Sequence, residues 1–239
     1  MEWLETWLNQ NDIFTVMTLN HYWDGFVTTI QLVWLSLAIG LSMAIPLAIL
    51  QTSNNRFIST PIWLYTYLFR STPLLVQLYI IYYGISFIEE IKDTFVWDIL
   101  RDAFYPAVIA FTLNTAAYTT EILRGAIKQT PKGEIEGAKA YGMSDWLTMK
   151  RIILPSAFRR ALPAYSNEVI FMLHASSLAS VVTIVDLTGA ARDIYSRFYA
   201  PFDAFLFVAA IYLCLTFMLV YGFKKLEHRL LAHLRPQKS

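Results

Sequence analysis

The chain has 239 residues, of which 56% are hydrophobic and only 15% charged, with a mean hydropathy of +0.44 and a formal net charge of +1. Soluble domains carry about 25% charge and about 45–50% apolar residues, so this balance points to a membrane protein, and a near-neutral charge gives no reason to expect nucleic acid or an acidic partner. The single cysteine, Cys214, excludes an internal disulfide and a cysteine metal cluster.

Residues 1–23 hold Glu2, Glu5 and Asp12 but no lysine or arginine. Without a basic n-region, the first apolar run is expected to be a retained helix rather than a cleaved signal. Leu4, Trp7 and Leu8 at helical spacing predict a short amphipathic segment on the outer surface, with a loose tail as the alternative.

No charge occurs between Asp24 and Arg56, and Phe26 to Leu50 is long enough to cross a hydrocarbon core that needs about 20 residues. A second span is predicted over Ser71 to Ile88, preceded by Phe57 to Phe69 with Arg70 the only charge between the two runs. Ala103 to Thr120 gives a third, Val169 to Val185 a fourth that is uncharged apart from the titratable His174, and Ala204 to Phe223 a fifth. Lipid offers the backbone no hydrogen-bond partner, and the alternating segments of about ten residues that a barrel needs are absent. The expected fold class is all-α integral membrane, with five transmembrane helices.

Basic flanks stay cytoplasmic. The segment between the third and fourth spans carries Arg124, Lys128, Lys132, Lys139, Lys150, Arg151, Arg159 and Arg160, and the tail adds Lys224, Lys225, Arg229, Arg235 and Lys238. By contrast, Glu89, Glu90, Asp93, Asp98 and Asp102 outweigh Lys92 and Arg101 in the second connection. These patterns predict an extracytoplasmic segment over 1–23, a transmembrane domain over 24–223 and a cytoplasmic tail over 224–239. No repeat, low-complexity segment or linker divides the chain, so one membrane domain is expected.

The stretch from about Arg124 to Pro163 is too polar for a span and too rich in helix formers for a plain loop. Glu134 to Tyr141 predicts a short helix with acidic residues near its start. Ser144 offers an N-cap for a second helix that Pro155 is expected to stop near Ile153. Ile135, Ala138 and Tyr141 share a face of the first helix, and Trp146, Leu147 and Ile153 supply apolar contacts on the second. An amphipathic hairpin held to lipid head groups is the plain reading of this pattern.

The spacing is more specific. Glu136, Gly137, Ala138, Gly142, Ile152, Leu154 and Pro155 give E-G-A-x3-G-x9-I-x-L-P. This resembles the EAA loop of permease subunits in ATP-binding-cassette importers, with Gly137 in place of the commonest second alanine. The resemblance implies a type I importer transmembrane domain whose cytoplasmic coupling loop, about 125–160, docks in a cleft of an ATPase subunit. Phe69-Arg70-Ser71-Thr72-Pro73-Leu74-Leu75-Val76-Gln77 is similar to the F-R-G-T-P-L-L-V-Q segment of polar amino-acid permeases. Asn114 to Gly125, Asn167 to Ile170, Ser177 to Ser180 and Asp186 to Arg192 continue the likeness, which runs from about residue 25 to the C-terminus. Pro163 to Glu168 and Met172 to His174 look most like members serving histidine, lysine, arginine and ornithine.

Ionisable groups at membrane depth need either a structural partner or a job. Glu168 is a candidate for attracting a cationic side chain or an α-ammonium, the alternative being a buried pair or an interfacial anchor. His174 is a candidate against the alternative of hydrogen-bonded packing. Asn114, Tyr118 and Glu121 form one stripe at i, i+4 and i+7, able to line a pathway or to join helices. Arg70 precedes Thr72-Pro73, where a proline should break the helix and free a carbonyl, although Arg70 can equally snorkel to the inner surface. Asp186 is expected to contact a substrate-delivering protein or to cap a gate loop.

The expected function is a non-catalytic permease subunit of an importer of polar, basic amino acids in a bacterial inner membrane. No G-x4-G-K-[ST] phosphate loop occurs, so no cofactor is expected on this chain, with ATP and Mg held by a partner. Implied partners are a sister permease subunit in a homo- or heterodimer, two ATP-binding-cassette subunits, an extracytoplasmic substrate-binding protein and the lipid bilayer. The competing class is an ion-gradient-driven secondary transporter or channel, for which five spans are few and no inverted repeat is visible. An intramembrane enzyme lacks support, since neither H-E-x-x-H nor G-x-S-x-G occurs.

Overall fold

A computed structural model describes residues 13–231. The expected amphipathic segment around Leu4, Trp7 and Leu8, and the tail residues Arg235 and Lys238, lie outside the described residues. All regular structure among the described residues is helical.

Helix α1, Val16–Gln51, begins well before the apolar run that marked it. Thr15 and Thr18 start it by exchanging hydrogen bonds, each backbone N–H donating to the other's hydroxyl at 2.9 and 3.3 Å. At about 1.5 Å per residue, a helix of 36 residues is longer than a hydrocarbon core of roughly 30 Å is thick. Asn55 caps α2, Arg56–Ser71, by accepting from the Phe57 N–H at 2.9 Å. The chain breaks at Thr72-Pro73 and resumes as α3, Leu74–Ser86. Two short helices, α4 Glu89–Lys92 and α5 Phe95–Leu100, fill the acidic connection.

Asp102 then accepts from the Phe104 N–H at 3.0 Å and starts α6, Phe104–Lys128. This helix continues past the predicted end at Thr120, carrying Glu121 and Arg124 with it. The polar stretch folds as α7, Lys132–Ala140, and α8, Asp145–Thr148, joined through Gly142 at φ +76°. Ser144 caps α8, accepting from the Leu147 N–H at 3.3 Å.

Pro155 does not stop the second helix. A π-helical turn over Met149–Ile153 leads directly into α9, Leu154–Ala175, and the Leu154 N–H donates to the Met149 carbonyl. The wider i→i+5 turn relieves the clash between a proline ring and the preceding turn, so the helix passes through. The predicted fourth span is also not one α-helix. Ser176–Val182 is 3-10, because Ser176, Ser177 and Ser180 turn their hydroxyls back to the carbonyls of Leu173, His174 and Ser177. Such back-bonding competes with the regular α ladder.

Thr183 in the left-handed region ends this segment at φ 69°. After a bend of 48° comes α10, Leu187–Phe198. Tyr199, also left-handed, ends α10, and Pro201 opens α11, Pro201–Leu230. Lys224, Lys225 and Arg229 therefore lie on this helix. By length and composition α1 and α11 can cross a membrane, with a third crossing if Asp145–Val182 and Leu187–Phe198 count as one.

The described chain divides into two compact units. The first takes residues 13–36, 74–111 and 171–217. Its core joins Tyr22 to Leu187, Ala190, Ala191, Ile194, Ala204 and Val208, with Phe14, Phe26 and Phe207 packed around it. The Tyr22 hydroxyl donates to the Ala204 carbonyl at 3.1 Å, and its ring lies 4.7 Å from that of Phe207.

Gly25 allows α1 to touch the start of α10. A Cβ there would lie 2.7 Å from the Asp186 carbonyl oxygen and 3.1 Å from the Ala190 Cβ. Gly25→Ala is therefore expected to destabilise the protein by about 1–3 kcal/mol through overpacking. Thermal unfolding in detergent checks this, and an unchanged midpoint would mean that α1 is not held against Asp186.

The second unit takes residues 37–73, 112–170 and 218–231. Its core is built largely from alanines: Ala44, Ala48, Ala126, Ala157 and Ala161, with Leu123 and Ile127. Small side chains let α1, α6 and α9 approach closely, the means by which helices associate in lipid. Arg160 ties the end of α6 to α9, donating to the Ala126 carbonyl at 3.0 Å and to the Thr130 hydroxyl at 2.7 Å, and also bonding the Ser156 hydroxyl.

Candidate functional site

The helix break at Pro73 organises a polar cluster in the second unit. Proline has no N–H to offer the Phe69 carbonyl, and Asn114 Nδ2 donates to that oxygen instead, at 3.3 Å. The Tyr118 hydroxyl donates to the Arg70 carbonyl, also at 3.3 Å. The Thr72 hydroxyl takes the Leu68 carbonyl at 2.8 Å, and the Ser71 hydroxyl takes that of Tyr67. Four successive carbonyls, Tyr67 to Arg70, are thereby satisfied. Pro73 thus releases the Phe69 carbonyl from the helical ladder, and the stripe on α6 meets it.

Glu121, the third member of that stripe, gathers donors from three helices. Its Oε1 accepts from Gln51 Nε2 at 2.6 Å and from the Thr66 hydroxyl at 3.0 Å. Its Oε2 accepts from Arg124 Nη2 at 2.6 Å and Nε at 3.0 Å. Arg70 Nη1 lies 3.8 Å from Oε2, and the Arg70 guanidinium lies over the Tyr118 ring at 5.5 Å. The Glu121 side chain is 12% exposed, against 44% for Arg70. Arg70, Asn114, Tyr118 and Glu121 thus form one connected group.

Glu168 is on α9 in the same unit and is buried, with 6% of its surface exposed. The Thr115 hydroxyl donates to its Oε1 at 2.8 Å. Thr115 itself is confined, since a Cβ at Gly40 would lie 2.5 Å from its methyl carbon. No ion pair to Glu168 forms within 4.0 Å among the described residues.

His174 and Asp186 belong to the first unit. His174 Nε2 and the Thr216 hydroxyl are 2.9 Å apart, and that hydroxyl donates to the Tyr212 carbonyl, so the imidazole nitrogen is the donor of the pair. Asp186 is fully buried as the N-cap of α10, its Oδ1 accepting from the Gly189 N–H at 2.9 Å. The Leu187 N–H donates to the Thr29 hydroxyl at 3.0 Å. The arrangement is that of a capping residue, and the side chain has no surface to offer a docking protein.

The loop from Glu136 to Pro155 presents a different kind of surface. Ala138 is buried, whereas Glu136 and Gly137 are exposed on α7. A Cβ at Gly137 or Gly142 would meet nothing within 4 Å. Tyr141, expected on the dry face, is instead 92% exposed, and Trp146 is 65% exposed. The reason is local, since Tyr141 is the C-cap of α7 and leaves the helical face at the turn. That turn closes with the Gly142 N–H donating to the Lys139 carbonyl at 2.9 Å and the Met143 N–H to the Ala138 carbonyl at 3.1 Å, while Lys139 and Asp145 pair across it at 3.4 Å. Ile152 and Leu154 are half-buried, and Pro155 is exposed.

Gln51, Thr66 and Thr115 were not singled out in the sequence, although they hold the two acids. Gln51 had a signal, as the polar residue that closes the first apolar run. The threonines had none. Among the described residues no group of three or more His, Cys, Asp or Glu is arranged to hold a metal.

Comparisons with known proteins agree with this architecture. The HisM permease protein of the Escherichia coli (strain K12) histidine/lysine/arginine/ornithine transport system is 47% identical over 223 residues, covering 93% of this chain and 94% of that one. The nopaline transport system permease protein NocM of Agrobacterium fabrum is 45% identical, covering 80% of each. Among solved structures, an amino acid ABC transporter with histidines superposes with a TM-score of 0.79 at 32% identity, covering 90% of this chain and 96% of that one. The MetNI methionine ABC transporter, at 17% identity and a TM-score of 0.71, shares the fold over 85% of this chain and 93% of its own. The family described as binding-protein-dependent transport system inner membrane component matches residues 14–231. On that match and those identities, the chain belongs to the family of binding-protein-dependent transport system inner membrane components.

Proposed function

We propose that this permease subunit imports polar, basic amino acids across the bacterial inner membrane, coupled through the loop 136–155 to ATP hydrolysis on a partner subunit. The observation that carries the reading is that loop. Glycine in a helix costs about 1 kcal/mol relative to alanine, yet nothing inside the chain requires Gly137 to lack a Cβ. Its smallness is instead suited to close approach by another protein, beside two exposed aromatic rings.

Five crossings suit the helices: α1, the broken α2–α3, α6, α9 with its 3-10 continuation, and α11. The second is interrupted by Arg70 to Pro73, and the third carries Asn114, Thr115, Thr119 and Glu121. Polar groups needed for a pathway are what lowers the hydropathy of these two. The basic residues of 124–160 favour a cytoplasmic loop and an N-terminus outside.

Two ATP-binding-cassette subunits, a second permease chain and an extracytoplasmic binding protein complete the assembly. Closure of the ATPase subunits pulls on α7, and the continuous helix from Asp145 to Ala175 carries that motion to Glu168. The relatives named for histidine, lysine, arginine and ornithine support a cationic substrate, as does a buried carboxylate with a single hydroxyl on it. Glu168 attracts the substrate's ammonium or guanidinium, while the Glu121 cluster keeps α2 and α6 in register.

The test is uptake into vesicles reconstituted with the whole assembly. Accumulation should require ATP and the ATPase subunit; uptake without either would reject the reading. Glu168→Gln should lower uptake of lysine and arginine about tenfold more than that of neutral amino acids, about 1.4 kcal/mol of lost discrimination. Equal losses for both classes would make Glu168 structural.

A further inference from the structure

A cavity of about 240 Å³ in the second unit is lined by Gln51, Ser59, Thr60, Trp63, Arg124 and Lys128. Gln51 is buried, and its amide is oriented by donating Nε2 to Glu121. The reverse orientation would set two acceptor oxygens against each other. Its Oε1 is therefore a buried acceptor with no hydrogen-bond partner among the described residues. Such a group is costly to leave unmet.

The same cavity holds two cations. Lys128 forms no ion pair among the described residues. Arg124 uses Nε and Nη2 on Glu121, which leaves Nη1 to donate. The cavity thus calls for an anionic oxygen and for an N–H or O–H donor to Gln51.

Exposed apolar side chains continue along α2 from this cavity: Trp63 and Leu64, then one turn on Tyr67 and Leu68. The Trp63 and Tyr67 rings stack at 5.2 Å. A polar socket at the foot of an exposed apolar row matches an amphiphile rather than a free solute. We propose that this cavity holds the headgroup of a phospholipid, its phosphate on Lys128 and Arg124, its ammonium or hydroxyl donating to Gln51, and its acyl chains along Trp63 to Leu68. Basic pockets between membrane helices bind lipid head groups by this chemistry. The inference rests on α2 crossing the membrane, and it adds a ligand that the transport reading does not need.

The test uses the whole transporter, purified in detergent and stripped of lipid, with lipid retention read by native mass spectrometry. Phosphatidylethanolamine and phosphatidylglycerol both carry a donor, whereas the quaternary ammonium of phosphatidylcholine has no N–H. The first two should bind about fivefold more tightly, the worth of one hydrogen bond to a buried acceptor. Lys128→Ala should lower retention of all three lipids, since each carries the phosphate, and Lys128→Arg should restore it. Glycerophosphoethanolamine, the same headgroup without tails, should not compete at equal concentration. Equal retention of phosphatidylcholine by the wild-type protein, or retention indifferent to Lys128→Ala, would overturn the proposal. Competition by the soluble headgroup would also overturn it, by making the cavity a site for free phosphate esters. Uptake is not the readout, so a negative result here leaves the transport reading standing, and failed transport leaves the lipid result interpretable.

Discussion

Glu121→Ala is expected to destabilise the protein by about 2–4 kcal/mol and to abolish uptake. The carboxylate accepts from Gln51, Thr66 and Arg124 on α1, α2 and α6. Removing it leaves a buried amide N–H and a buried hydroxyl with one acceptor fewer, each worth about 1–3 kcal/mol when unsatisfied. The two arginines add less than a buried ion pair would. Arg70, at 3.8 Å and nearly half exposed, is screened by its surroundings. Glu121→Gln separates the contributions, because its amide oxygen can still accept from Gln51 and Thr66 while the charge is lost. We expect it to recover more than half of the lost stability, read as the midpoint of thermal unfolding by fluorescence-detected size exclusion. An alanine variant as stable as wild type would show that Glu121 does not hold these helices together.

Gly142→Val is expected to reduce uptake at least tenfold while the assembled ATPase still hydrolyses ATP. Gly142 is at φ +76°, in the left-handed region where a β-branched residue is disfavoured by about 1–2 kcal/mol. A Cβ there would meet nothing inside the chain, so the effect comes from the turn and from whatever docks against it. Gly142→Asn, which tolerates the same φ, should keep most of the uptake. Gly137→Leu gives a complementary reading. Relative to glycine it favours helix by up to about 1 kcal/mol and clashes with nothing in this chain. Chain stability should be unchanged or higher, and assembly with the ATPase subunit weaker by co-purification. If Gly137→Leu assembled normally and Gly142→Val transported normally, the loop would not be the docking surface.

Features set by a few neighbouring residues were legible in the sequence. Pro73 announced a helix break because it lacks an N–H and restrains the residue before it. Gly142 announced a turn, and Ser144 the cap that follows it, since both depend on bonds spanning three or four residues. Pro155 misled because the same local rule has a second solution. A π turn at Met149–Ile153 absorbs the ring and lets the helix run on. The serines of 176–180 carried a comparable signal, since their hydroxyls compete for the backbone, but an uncharged run of this length hides it. Tyr141 was assigned to a buried face by periodicity, which stops applying once the helix has ended.

The character of the candidate site was legible and its connections were not. Asn114, Tyr118 and Glu121 lie on one face by arithmetic alone. That two of them would close the broken end of α2 depends on Phe69 and Arg70, 45 and 48 residues earlier. Gln51 is 70 residues from Glu121 and Thr66 is 55, and no spacing rule links positions so far apart.

By itself the sequence determined that the chain is helical and belongs to a membrane, that a helix breaks at Pro73, and which polar groups stand out against the apolar background. Those properties follow from solvation and from bonds within one or two turns. Only the tertiary structure decided that Glu121 is a hub, that Glu168 accepts from the Thr115 hydroxyl, that Asp186 is a buried cap, and that Gln51 keeps an unmet acceptor among the described residues. For Glu121, Glu168 and Gln51 the physical reason is that the outcome depends on how closely α1, α6 and α9 approach. That distance is set by the joint packing of Ala44, Ala48, Ala126, Ala157 and Ala161, residues that are each unremarkable where they stand in the chain.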